Sequence, residues 1–158
     1  MIWLTSVKIL LLCKRKKLYY QQSPLHDAAE NGHSEVCTIL LVNQADKNQR
    51  ENNFGWTPLH YVARNWHSEV FRILFENKVN KNPSKNWGAT PLHMGVQKGH
   101  WEVCEMLIDY KVDKNNNTYY QPSPLHAALE NGYSEVCTIL LFCLCIHFTL
   151  SILQWDNL

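Results

Sequence analysis

From residue 23 onward, apolar and polar positions alternate in blocks that return about every 33 residues. A block opens on Ser or Thr followed by Pro-Leu-His, at residues 24–26, 58–60, 91–93 and 124–126, with spacings of 34, 33 and 33. Hydroxyl-then-proline is a helix start, with the hydroxyl residue at the N-cap and Pro at the first helical position. A small pair or its variant follows: Ala28-Ala29, Val62-Ala63, Gly95-Val96 and Ala128-Leu129. Such residues keep a helix slim enough for close approach. A polar turn comes next, at Asn31-Gly32-His33, Asn65-Trp66-His67, Lys98-Gly99-His100 and Asn131-Gly132-Tyr133. Gly32, Gly99 and Gly132 are expected to end the first helix in a left-handed conformation. Glu-Val then leads into an apolar stripe at spacings of three and four: Val36, Ile39 and Leu40, and likewise Val70, Ile73, Leu74; Val103, Met106, Leu107; Val136, Ile139, Leu140. That spacing predicts a second helix. One helix pair cannot bury both of its apolar faces, so the units must stack, and stability must come from the interfaces between them.

These residues and their order resemble the ankyrin repeat over about residues 19–141, in four copies at about 19–52, 53–85, 86–118 and 119–141. The fold expected is therefore all-α, an ankyrin-repeat solenoid of stacked helix-turn-helix units with projecting β-hairpin loops. Residues 19–41 and 119–141 differ only at Gln22/Pro122, Asp27/Ala127, Ala29/Leu129 and His33/Tyr133. Duplication of a three-repeat block is the simplest account, and it is compatible with a parent array longer than this chain. Several positions depart from the pattern. Trp66 stands where the motif wants glycine, at a cost of about 1–2 kcal/mol for a left-handed residue with a side chain. Gln44, Lys78 and Lys111 replace the glycine after the second helix, and Gln21 and Gln121 replace the hairpin glycine kept at Gly55 and Gly88. A competent but loosened array is expected.

Both ends leave the pattern. In residues 1–18, Val7–Leu11 reads as the second helix of a degenerate half repeat capping the array, with an amphipathic membrane-contacting segment as the competing reading. The following Lys14-Arg15-Lys16-Lys17 cluster is either a solvated turn or a nuclear-import patch. Downstream, the apolar run counted from Val136 reaches 18 residues, the minimum for a membrane span. Its first six residues already belong to a repeat helix, so the run Phe142–Leu153 reads as an extended apolar helix packed on repeat four. A membrane anchor through Phe142–Leu153 and a truncated, exposed end are the alternatives.

Composition narrows the classes. The formal net charge is +1, and five of the basic residues lie within residues 1–17, so the rest is acidic by about four charges and no nucleic-acid surface is expected. Positive charge follows the N-terminal apolar stretch instead of preceding it, and no small-residue cleavage site is present, which argues against a secretory signal. A cytoplasmic location with six reduced cysteines is the resulting expectation.

Candidate chemistry is sparse. Seven of the eight histidines fall in repeat slots, and the ankyrin resemblance implies that those of Pro-Leu-His bond loop backbone between neighbouring repeats. Cys37, Cys104 and Cys137 share a helix column with Phe71 and read as core hydrophobes. Cys143, Cys145 and His147 sit at alternate positions, which do not share a helix face, and a structural zinc site wants a fourth ligand. No phosphate loop or nucleophile elbow is found, so neither an enzyme nor any cofactor or metal is expected. A binding pattern is present instead. Three residues before each capping hydroxyl stands an aromatic, Tyr20, Phe54, Trp87 or Tyr120, with Tyr19, Tyr119 and Trp56 beside them. The resemblance places this column at the hairpin tips on the concave partner-binding face, where aromatics with a polar edge serve as interface hot spots. Mutual stacking along the hairpin row is the other reading. Glu30, Arg64, Gln97 and Glu130 supply a mixed-charge lining on the first helices. The partner expected is another protein. The resemblance also makes asparaginyl hydroxylation conceivable at Asn48, Asn82 and Asn115, beside their ordinary reading as turn stabilisers.

Overall fold

A computed structural model describes residues 22–113 and 122–143. Helices come in pairs: α1 (Pro24–Glu30) with α2 (Ser34–Val42), α3 (Pro58–Asn65) with α4 (Ser68–Glu76), and α5 (Pro91–Gln97) with α6 (Trp101–Asp109). The fourth pair is α7 (Pro124–Asn131) and α8, helical over 134–143. First helices pack on first helices, α1 on α3, α3 on α5 and α5 on α7, while α2 packs on α4 in a second layer. The result is a two-layer stack in which each repeat rests on its neighbours.

Each repeat begins as the sequence dictates, with refinements in the capping chemistry. The capping residue is extended, and the His two residues beyond Pro folds back onto it. Ser23, Thr57 and Thr90 each donate their backbone N–H to the Nδ1 of His26, His60 and His93, at 3.1, 3.1 and 3.2 Å. The same hydroxyls lie 2.8–2.9 Å from that nitrogen. This is a capping box with histidine in the place usually held by Glu or Gln. The far nitrogen of each ring then reaches the next repeat, Nε2 lying 3.0, 3.1 and 3.0 Å from the carbonyls of Trp56, Ala89 and Pro122. Since Nδ1 accepts, Nε2 carries the proton and donates it. One side chain thus starts a helix and ties it to the following unit. Burial is complete: His26, His60 and His93 are at most 1% exposed.

The small residues sit where close approach requires them. Ala28, Ala29, Val62, Ala63, Val96 and Ala128 are all fully covered between repeats. A side chain on Gly95 would meet Val103 Cγ1 at 3.1 Å. On the second helices the core takes Val70, Leu74, Val103, Leu107, Val136 and Leu140, together with the Cys37, Phe71 and Cys104 column. The Ile39, Ile73, Met106 and Ile139 column lies at the rim instead, half-buried or, for Ile39, 53% exposed. The buried stripe therefore runs through positions one and four after the valine, not three and four. Burial drives the Cys37 and Cys104 thiols up to about 12, which fits their reading as inert core groups. Phe71 and Phe75 of α4 stack with Tyr110, which caps α6, with centroids 4.3–5.9 Å apart, and join repeats two and three.

Left-handed backbone occurs where the pattern asks for glycine. Gly32, Gly99 and Gly132 have φ of 72°, 67° and 70°. Trp66, Gln44, Lys78 and Lys111 adopt the same region at 57°, 62°, 56° and 59° without being glycine. Each of these four residues therefore carries the local backbone cost of a left-handed conformation with a side chain.

The connections differ from the hairpins expected. Among the described residues no strand forms. The loop before α3 is closed by Glu51 N–H donating to the Trp56 carbonyl at 2.9 Å, and the loop before α5 by Lys85 N–H to the Ala89 carbonyl at 2.9 Å. One such bond closes a turn, whereas a ladder needs a succession of them. The loops are stitched sideways instead: Asn86 N–H donates to the Phe54 carbonyl at 2.8 Å, and its amide nitrogen to the Asn53 carbonyl at 3.0 Å. In the outer loops, Asn48 Oδ1 accepts from Asn80 N–H, and Asn82 Oδ1 from Asp113 N–H, both at 2.8 Å. These asparagines are clamps between repeats, more than stabilisers of their own turns. Asn115 lies outside the described residues.

Candidate protein-binding groove

A recess of about 450 Å³ opens where the loops meet the first-helix layer. Trp56 and Lys85 come from successive loops, Arg64 from α3, Met94 and Gln97 from α5, Lys98 from the turn after it, and Asn131 from α7. Their convergence follows from the repeat. Residues one turn apart on a first helix face the loops, and stacking sets equivalent positions of consecutive units side by side.

Trp56 forms the floor. It is 9% exposed, its indole packed on Tyr61 with centroids 4.8 Å apart and tilted against His60 at 6.2 Å. Two cations lie over that ring, the Arg64 guanidinium at 5.2 Å and the Lys85 ammonium at 4.8 Å from its centroid. Each gains from the ring's quadrupole. Partial burial first, and the Arg64 charge second, hold the Lys85 ammonium below the usual lysine range. No carboxylate among the described residues pairs with Arg64, Lys85 or Lys98; the ion pair found there is Arg72–Glu69, at 3.4 Å on the outer face.

The loop that carries Trp56 is built around a buried carboxylate. Glu51, 3% exposed, accepts backbone N–H bonds from Asn53 at 2.8 Å, Phe54 at 2.6 Å and Trp56 at 3.1 Å. This cage fixes the backbone on either side of Phe54 and the entry of Trp56 into the groove.

The sequence-derived site residues fall into three sets. Phe54 and Trp87 stand at loop tips, 44% and 61% exposed, with Trp87 in left-handed backbone at φ 67°. Arg64 and Gln97 line the groove with Trp56, whereas Glu30, half-buried, and Glu130, exposed, occupy equivalent positions in the first and fourth repeats and do not line it. Tyr19, Tyr20, Tyr119 and Tyr120 lie outside the described residues. Sequence reasoning missed Lys85, Lys98, Met94 and Asn131 as lining, and Glu51 as the loop's organiser. Lys85 belongs to no repeating column, and the position equivalent to Glu51 in the next unit is Ser84, so periodicity could not reveal either one. Of the Cys143, Cys145 and His147 set, Cys143 is half-buried at the end of α8, while Cys145, His147 and most of the 142–153 run lie outside the described residues. Among the described residues, no helix is long and apolar enough to cross a membrane.

Paired helices of 33-residue period, stacked in two layers and joined by projecting loops, define a repeat solenoid with a groove between its loops and first helices. The family description "Ankyrin repeats (3 copies)" matches over residues 4–85, 25–118 and 80–149, and the chain belongs to the ankyrin-repeat family. No curated protein matches it. Ankyrin repeats are in general protein–protein interaction modules.

Proposed function

We propose that this chain is a non-catalytic adaptor that holds a segment of another protein in the groove formed by Trp56, Arg64, Lys85, Gln97 and Lys98, with Phe54 and Trp87 at its margin. One observation carries the reading. His26, His60 and His93, the histidines of the first three Pro-Leu-His tripeptides, are consumed by folding, each buried and bonded to backbone at both nitrogens. The groove side chains Arg64, Gln97 and Lys98 are exposed instead and remain available to a partner. Exposed aromatics beside mixed polar groups are the composition of an interface core and rim.

The test is site-specific photo-crosslinking in cells. A crosslinker replacing Gln97 or Trp87 is expected to give adducts of discrete mass. The same group at Glu105, on the outer face of α6, is expected to give none. Equal adducts from both faces, or none from either, would sink this reading.

A further inference from the structure

We propose that the groove between repeats two and three receives a glutamate or aspartate side chain from an extended segment of the partner protein, seated among Arg64, Lys85 and Lys98 above the Trp56 ring. This rests on the groove being the binding face.

Charge placement carries the inference. Three cations from three different segments border one recess, and no described carboxylate neutralises them. Arg64 and Lys85 share a single indole, so two like charges are held near one another in partly dry surroundings. Like charges so placed repel, and an anion between them turns the repulsion into two attractions. The other layer has the opposite sign. Helices α2, α4, α6 and α8 carry acids in every repeat, among them Glu35, Glu69, Glu102 and Glu135, against Arg72 as the one base within them. An acidic partner is thus steered to the groove and repelled from the outer layer.

The remaining lining favours a peptide. Gln97 and Asn131 present amides, which both donate and accept and therefore suit a peptide backbone. Met94 adds a pliant apolar surface of the kind that adapts to varied side chains. A nucleic acid needs a longer row of cations, about 6–10 phosphate contacts for salt-sensitive binding of any strength, and the groove offers three.

Selection of displayed random decapeptides on the full-length chain tests the assignment. The expected outcome is a consensus with Glu or Asp at one fixed position. Changing that acid to its amide should weaken binding about tenfold or more, as loss of a charge-assisted hydrogen bond predicts. Lys85→Met should erase the acid preference. Lys98→Ala, at an exposed position, should weaken it with helical content unchanged, which separates loss of the site from loss of the fold. A consensus without an acid that still requires Gln97 and Lys98 would overturn the carboxylate assignment and leave the groove reading standing. Failure to select any consensus would overturn both. Competition by single-stranded oligothymidylate as strong as by the acidic peptide would replace the assignment with a general polyanion surface.

Discussion

Trp66, Gln44, Lys78 and Lys111 show what one side chain costs when the backbone must turn left-handed. At Lys78 the side chain is exposed and the φ is 56°, so little packing offsets the strain. Lys78→Gly is expected to raise stability by up to about 1 kcal/mol, since the relief of strain outweighs the added freedom of the unfolded chain. The reverse change is expected to be severe at Gly32, where a Cβ would meet the His67 ring at 2.6 Å on top of its φ of 72°. Urea midpoints of Lys78→Gly and Gly32→Ala should therefore move in opposite directions; a shift of the same sign would refute the account. Thiol chemistry gives a second residue-scale expectation. Cys37 and Cys104, buried and with thiols raised to about 12, should stay unmodified by a thiolate-specific reagent until the chain unfolds. Labelling of either at native-state rates equal to an exposed cysteine would contradict the packing described.

At the scale of an element, the loop over 51–56 holds its shape through a side chain, not a ladder. Glu51 accepts from three backbone N–H groups that otherwise lack a partner inside the loop. Glu51→Ala is expected to cost about 2–3 kcal/mol, the scale of losing charge-assisted bonds to buried donors. It should also release Trp56 from its packed position, seen as a red shift of tryptophan emission in native buffer. An unchanged spectrum together with unchanged stability would show that the loop is held by other contacts. The helices follow a different logic. Their starts are fixed by the hydroxyl, Pro and His of each block, and their ends by the turn residue, so helix boundaries were legible while the loop geometry was not.

For the whole molecule, His26, His60 and His93 make stability depend on pH at three successive interfaces. Each is neutral when folded, because burial opposes charging, and its Nε2–H bond spans to the next repeat. For His60 burial, opposed by the bond to the Ala89 carbonyl and aided by the charges of Lys85 and Arg50, brings the folded pKa to about 3, against an unfolded value of 6.5. The unfolded chain therefore binds the proton first. Stability is at its full value above about pH 6.5 and declines as pH falls toward 3, by about 1.4 kcal/mol per pH unit for this one group. Urea unfolding at pH 5, 6 and 7 should show a falling midpoint toward acid, and His60→Gln should flatten the slope. A midpoint constant across that range would remove the histidines from the account of inter-repeat cohesion.

By itself the sequence determined the repeat, its period, the helix starts, the left-handed turn positions and the structural use of the Pro-Leu-His histidines. All of these are set by local spacing copied from unit to unit, and a period is visible without coordinates. Tertiary structure decided what does not repeat. It set the Cys and Phe column in the core and the isoleucine column at the rim, because the angle between stacked helix pairs fixes which residues a neighbour covers. It turned Glu51 inward as a cage for backbone donors. It brought Lys85 to Arg64 over one indole and Lys98 to the same recess, because stacking places a loop of one repeat against the first helix of another, and that proximity depends on the registry between units.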